Sequence, residues 1–182
     1  MITPAVVVPE VNVQPGELHL ARGPAILRTI LGSCVSVTFW SARLDAGALC
    51  HGVLPKCPFR LADLDPVEAC RYVDFSIRYL LRQFAVLGAQ TDELQVKVFG
   101  GADVLPITRV GRPTVGAANC KRALEVLAEE GLRVLASDIG GVRGRRIELH
   151  TSSGEVRVYR MAAWSGPAAE LVRQLQTKRS TD

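Results

Sequence analysis

The sequence predicts a mixed α/β fold of the α+β kind: a single domain in which β-sheet, partly built of strand hairpins, packs against two long amphipathic helices. Three observations carry this reading. Short β-branched runs alternate at period two, two longer runs repeat apolar residues at three- and four-residue spacing, and no linker, repeat or low-complexity tract divides the 182 residues. A chain of this length buries roughly 70% of its unfolded surface, enough for one core without disulfides or metal.

Val35-Ser36-Val37-Thr38-Phe39-Trp40 alternates and is rich in β-branched and aromatic residues, which predicts a strand. Gly47 to Val53 is a second short strand, and Ser41 to Ala46 between them is of hairpin length. The spacing of Ala69, Val73, Ile77, Leu80, Leu81 and Phe84 predicts a helix over Pro66 to Leu87, with Pro66 suited to its first turn and Gly88 to its stop. Leu94 to Phe99 is a strand ending at Gly100-Gly101. Ala117 to Glu130 is a second amphipathic helix, with Ala123, Leu124 and Leu127 inward and Gly131 closing it. Leu132 to Ala136, Arg146 to His150 and Val156 to Tyr159 are further strands, the last two joined by a turn at residues 151–155. A terminal helix is expected from about Ala162, then a polar tail over 177–182.

The apolar fraction of 48% and charged fraction of 22% are those of a globular protein. Lys and Arg number 22 against 18 Asp and Glu, a net charge of +4 that is too even to point to nucleic acid. Arg143, Arg145 and Arg146 follow Gly140-Gly141 and form a basic turn, which either is solvated or meets phosphates or acidic side chains. Its glycines match neither phosphate-loop spacing. No apolar run reaches the roughly 18 residues of a membrane span, so no direct membrane insertion is expected. MITPAVVVPEVNVQPGE has no positive n-region and is broken by Pro4, Pro9 and Pro15, which argues against a signal peptide. Five cysteines, an odd number without a C-x-x-C pair, then predict free thiols in the cytoplasm. No cofactor is expected, since Cys50, His51 and Cys57 fit no common zinc spacing.

Leu31-Gly32-Ser33-Cys34 stands directly before the first clear strand. Such a small-residue turn exposes the thiol and leaves backbone N–H groups uncovered, which a nucleophile and a developing oxyanion respectively need. A buried structural cysteine at a tight turn is the other reading. His51 follows 17 positions later on the second hairpin strand, and adjacent antiparallel strands can bring the two within hydrogen-bond reach. The pairing matters because an unassisted thiol is only a few per cent thiolate at neutral pH. A histidine that ends a strand and bonds a local carbonyl is the alternative. Cys50 points to the opposite strand face and belongs to the core.

These segments together resemble the CheD family of chemoreceptor glutamine deamidases, from about Pro15 to Tyr159. Pro15-Gly16-Glu17 resembles the family's PGE, Leu31 to Val37 its LGSCVAV, and His51-Gly52-Val53-Leu54-Pro55 its H-x-x-LP. Tyr72 and Asp74, Gly100-Gly101-Ala102, Val115 to Asn119 and Asp138-Ile139-Gly140-Gly141 match four later segments in order. The resemblance implies a single CheD-like domain with Cys34 as nucleophile, His51 as general base and acid, and the turn at Gly32 and Ser33 as oxyanion site. It also implies a threonine that orients the imidazole. Thr29, five positions before Cys34, is the candidate; at least some members carry it six before, where Arg28 stands here. One residue along a strand reverses the side-chain face.

The implied reaction is hydrolysis of glutamine side-chain amides to glutamate on cytoplasmic chemoreceptor helices. The implied second partner is a CheC-type phosphatase. The competing reading is a CheD-like docking module that has lost turnover and only binds receptors or the phosphatase.

Overall fold

The computed structural model describes residues 7–59, 65–104 and 113–162, and arranges them as helices on a five-stranded sheet that is backed by a four-stranded one. The strands are β1 (Glu10–Asn12), β2 (Leu18–Arg22), β3 (Ile26–Leu31), β4 (Val35–Ser41), β5 (Ala46–Cys50), β6 (Gln95–Gly100), β7 (Val134–Ile139), β8 (Arg145–His150) and β9 (Glu155–Arg160). The helices are α1 (Pro66–Ala69), α2 (Val73–Val86) and α3 (Val115–Glu129). The large sheet runs β2-β5-β4-β6-β7 and the small one β1-β3-β8-β9. This is the expected mixed α/β class, with β4–β5 and β8–β9 as antiparallel hairpins and β6–β7 parallel across α3.

β4 is central and buried on both faces. Val35, Val37 and Phe39 pack against Val73, Ile77 and Phe84 of α2 and Ala123 and Leu127 of α3. The opposite face is turned to the small sheet, where Leu31 and Ile147 meet Phe99 and Cys34. Leu27, Leu49 and Leu149 extend this inter-sheet layer. Cys50 lies in the helix-side core as expected.

Several expectations need correction. The predicted helix over Pro66 to Leu87 is broken in two. Tyr72 is extended and bridges to Leu54, while the Arg71 carbonyl accepts both the Val53 and Leu54 N–H groups. Pairing with the segment after His51 thus overrides the apolar periodicity. On α3, Leu124 is exposed and Val126 takes the inward place. β7 begins at Val134 rather than Leu132. Of the two readings of the basic turn, Arg145 takes the one that meets an acidic side chain: it is fully buried, pairs with Asp138 Oδ1 at 2.5 Å and also donates to the Gly140 carbonyl. β1, β2 and β3 were not expected at all. The terminal helix from Ala162 and the tail over 177–182 lie outside the described residues.

Candidate active site

Gly32-Ser33-Cys34 is the connection by which the chain leaves β3 in the small sheet and enters β4 in the large one. The β4–β5 ladder pairs Thr38 with Leu49, and the separate bridge between Val35 and Gly52 keeps the same offset. That register sets His51 directly across from Ser36, and Cys34 across from Val53. Cys34, Ser36 and His51 therefore share the face turned to the small sheet, with Cys34 and His51 as diagonal neighbours. The thiol is half-buried and the imidazole is buried.

Thr29 is buried on β3 and faces the same space. Its Oγ1 lies 2.7 Å from His51 Nδ1 and 2.8 Å from the Val13 carbonyl. A hydroxyl has one proton, and a carbonyl can only accept, so Thr29 donates to Val13 and accepts from the imidazole Nδ1–H. This arrangement fixes the tautomer and leaves Nε2 as the free acceptor. Among the described residues Nε2 has no hydrogen-bond partner, so the thiol and the imidazole are unbonded to one another here. Arg28, one residue earlier, points to the opposite face and pairs with Glu10 and, at 2.9 Å, with Glu148. Strand parity thus turns Thr29, and not Arg28, towards His51.

The electrostatics favour a neutral resting pair. Burial raises the Cys34 pKa above its ordinary value, an effect partly offset by its own backbone N–H. Burial also lowers the His51 pKa, with the Val13 carbonyl and Glu17 acting the other way. A thiol beside an uncharged base ionises by handing its proton over, not by waiting as a preformed ion pair.

The turn is held from behind. The Gly32 carbonyl accepts from Ala102 N–H and the Cys34 carbonyl from Gly101 N–H, both at 2.8 Å. Buried Asn119 on α3 donates through Nδ2 to Ser33 O and Val53 O, each at 3.0 Å, so one amide ties the cysteine turn to the segment carrying His51. The carbonyls being engaged inward, the N–H groups of Gly32, Ser33 and Cys34 make no hydrogen bond to another described residue. Gly101 has φ +66°, and a Cβ there would overlap Cys120 Sγ and sit 2.9 Å from the Gly116 carbonyl, so the support behind Cys34 requires glycine. A cavity of about 400 Å³ reaches His51 and Thr29 and is bordered by Val13, Pro15, Ile30 and Arg146.

The residue pattern identified Cys34, His51, Gly32 and Ser33, and the structure brings them to one end of the inter-sheet layer. The roles of Asn119 and the Val13 carbonyl were not foreseen. Asn119 ends the Val115 to Asn119 segment, but nothing local in sequence signals a side chain that bonds two carbonyls 66 and 86 residues away.

The family described as CheD chemotactic sensory transduction matches residues 58–160. The probable chemoreceptor glutamine deamidase CheD 2 of Geobacter sulfurreducens is 44% identical over 153 residues, which cover 84% of this chain and 91% of that protein. The chain belongs to the CheD family. A further relative, the probable chemoreceptor glutamine deamidase CheD of Maridesulfovibrio salexigens, is 37% identical over 151 residues, 80% of this chain and 88% of that one. That of Pseudomonas fluorescens is 36% identical over 151 residues. A 153-residue match within 182 residues necessarily takes in Cys34 and His51, which precede the span of the family match.

The later CheD-like segments converge on the turn described above. Gly140 N–H donates to the Gly100 carbonyl and Asp103 N–H to the Gly141 carbonyl, both at 2.8 Å. Arg145, buried beneath them, holds the Asp138 to Gly140 turn. Residues scattered over the second half of the chain thereby support the backbone of Gly32 to Cys34.

Proposed function

We propose that this chain is a chemoreceptor glutamine deamidase that works through Cys34 and His51, with Thr29 as the positioning residue for the imidazole. The names of its relatives support the reaction, and the Thr29–His51 bond with Nε2 left free on the Cys34 face supports the mechanism most directly. His51 Nε2 takes the Cys34 proton as the thiolate attacks the glutamine carboxamide carbon. The oxyanion is held by backbone N–H groups of Gly32 to Cys34, and one such donor is worth about 3–4 kcal/mol of transition-state stabilisation. The Nε2 proton passes to the leaving nitrogen, ammonia departs, and a thioester remains. Water then attacks the thioester, gives its proton to His51, and releases glutamate and the thiol.

The substrate is a cytoplasmic chemoreceptor helix, which places the reaction in the cytoplasm. Each turnover puts one carboxylate on that helix, and a charge pair at helical spacing is worth about 0.2–0.5 kcal/mol, so several sites give graded tuning. A CheC-type phosphatase as second partner, and a single domain over the core of the chain, rest on the family resemblance. The docking-module reading was favoured by the threonine offset, and the 2.7 Å contact takes that support away. Ammonia release from a receptor cytoplasmic fragment tests the proposal. Wild type is expected to release it and Cys34→Ala and His51→Ala are not; equal release by His51→Ala refutes the base.

A further inference from the structure

Ser36 is the one position in Leu31 to Val37 at which this chain departs from the LGSCVAV pattern, a hydroxyl replacing a methyl. It is fully buried in β4, and its Oγ has no hydrogen-bond partner among the described residues. Buried hydroxyls are rarely left so. The β4–β5 register puts it directly across from His51, whose Nε2 is also buried and unpartnered. Directly opposed residues on one sheet face have Cβ atoms about 4.5–5.5 Å apart. Leu31, Phe99 and Ile147 close the neighbouring space with apolar surface, and Cys34 packs against them. Two orphan polar atoms thus sit on directly opposed residues of the sheet face that carries the thiol, next to an apolar wall.

We propose that Ser36 and His51 together hold the water that hydrolyses the Cys34 thioester. A buried water needs two or more polar partners, and here Ser36 Oγ and His51 Nε2 supply them. In the step itself the water oxygen bonds to the acyl carbon as its proton passes to Nε2. The carbon–sulfur bond breaks, and the Cys34 thiolate recovers a proton from the imidazolium. Thioester and water become carboxylic acid and thiol, with nothing else consumed. Ser36 contributes to this second step only, since in the first the carboxamide and the thiol occupy Nε2. The inference rests on the deamidase reading above.

Ser36→Ala removes one oxygen and restores the methyl of the family pattern, so the fold is kept. Wild type and Ser36→Ala are mixed with a glutamine-bearing receptor cytoplasmic fragment. Ammonia is followed from the first turnover, and acid-quenched samples are run under denaturing conditions to display the thioester-linked conjugate. Ser36→Ala is expected to give an unchanged stoichiometric burst of ammonia, a steady rate lower by about fivefold to tenfold, the equivalent of one lost hydrogen bond, and more conjugate than wild type. Identical steady rates and conjugate levels overturn the inference alone, as does a slowed burst with no conjugate. Wild type that releases no ammonia overturns the deamidase reading itself.

Discussion

Replacing Thr29 with valine removes one oxygen while keeping the β-branched shape, so it isolates the hydroxyl. Two contacts go: the bond donated to Val13 O at 2.8 Å and the one accepted from His51 Nδ1 at 2.7 Å. Both partners are left in a buried setting. An unsatisfied buried polar group costs about 1–3 kcal/mol. For a domain of this size each kcal/mol lowers Tm by about 2–4 °C. The catalytic loss is separate. In the transition state His51 is an imidazolium, and its charged Nδ1–H bond to Thr29 is worth about 1.5–3 kcal/mol, so kcat falls about 10- to 150-fold. KM should hardly change, because Thr29 lies behind the imidazole. Thr29→Ser keeps the oxygen and should recover most of the rate. Deamidation of a receptor fragment, measured for all three proteins, decides it. Wild-type kcat in Thr29→Val, or Thr29→Ser as slow as Thr29→Val, refutes the positioning role.

Asn119→Ala leaves Ser33 O and Val53 O without their donor, which should lower stability by about 2–4 kcal/mol in urea unfolding and slow turnover together; unaltered activity in the folded variant would show that the two strands hold themselves. The acid limb of kcat/KM should lie below pH 6.5, since His51 must be neutral to accept the thiol proton and burial holds its pKa below that ordinary value. Stability follows the same sign: as pH drops from 6.5 towards the lower folded value the unfolded chain binds the proton first, so folding free energy is lost there. In a His51→Ala background, alkylation of Cys34 should become fast only above pH 9.0, because burial raises that thiol. An acid limb above pH 6.5, or a Cys34 thiolate already reactive near neutrality in that variant, would instead indicate a preformed ion pair.

The parts of the fold legible in the sequence are those with one apolar face. α3 and the second turn onward of α2 show the helical period because Ile77, Phe84, Ala123 and Leu127 meet one core while the other side is solvated. β3 hid its period because Ile26 and Ile30 are apolar on its outer face, opposite inward Leu27 and Leu31. β2 is half-buried along most of its length and so shows no alternation. The break at Tyr72 depends on pairing with Leu54, a contact across 18 residues that periodicity does not register. Within the site, Cys34 and His51 were legible because residue chemistry and hairpin spacing agree. Thr29 needed the parity of β3, which only its pairing with β8 establishes. The sequence leaves Arg145 open between a solvated turn and an acidic partner, since its charge is visible there and its burial against Asp138 is not.

The central claim is that Cys34 converts glutamine to glutamate on a chemoreceptor. Mass spectrometry of a glutamine-bearing receptor cytoplasmic fragment, incubated with wild type or with Cys34→Ala, tests it most directly. The account predicts the small mass gain of amide becoming acid, localised by fragmentation to specific glutamines, with wild type and not with the variant. An unmodified fragment after incubation with reduced wild-type protein, using receptors from the same cell, would contradict it and leave a domain that docks without chemistry.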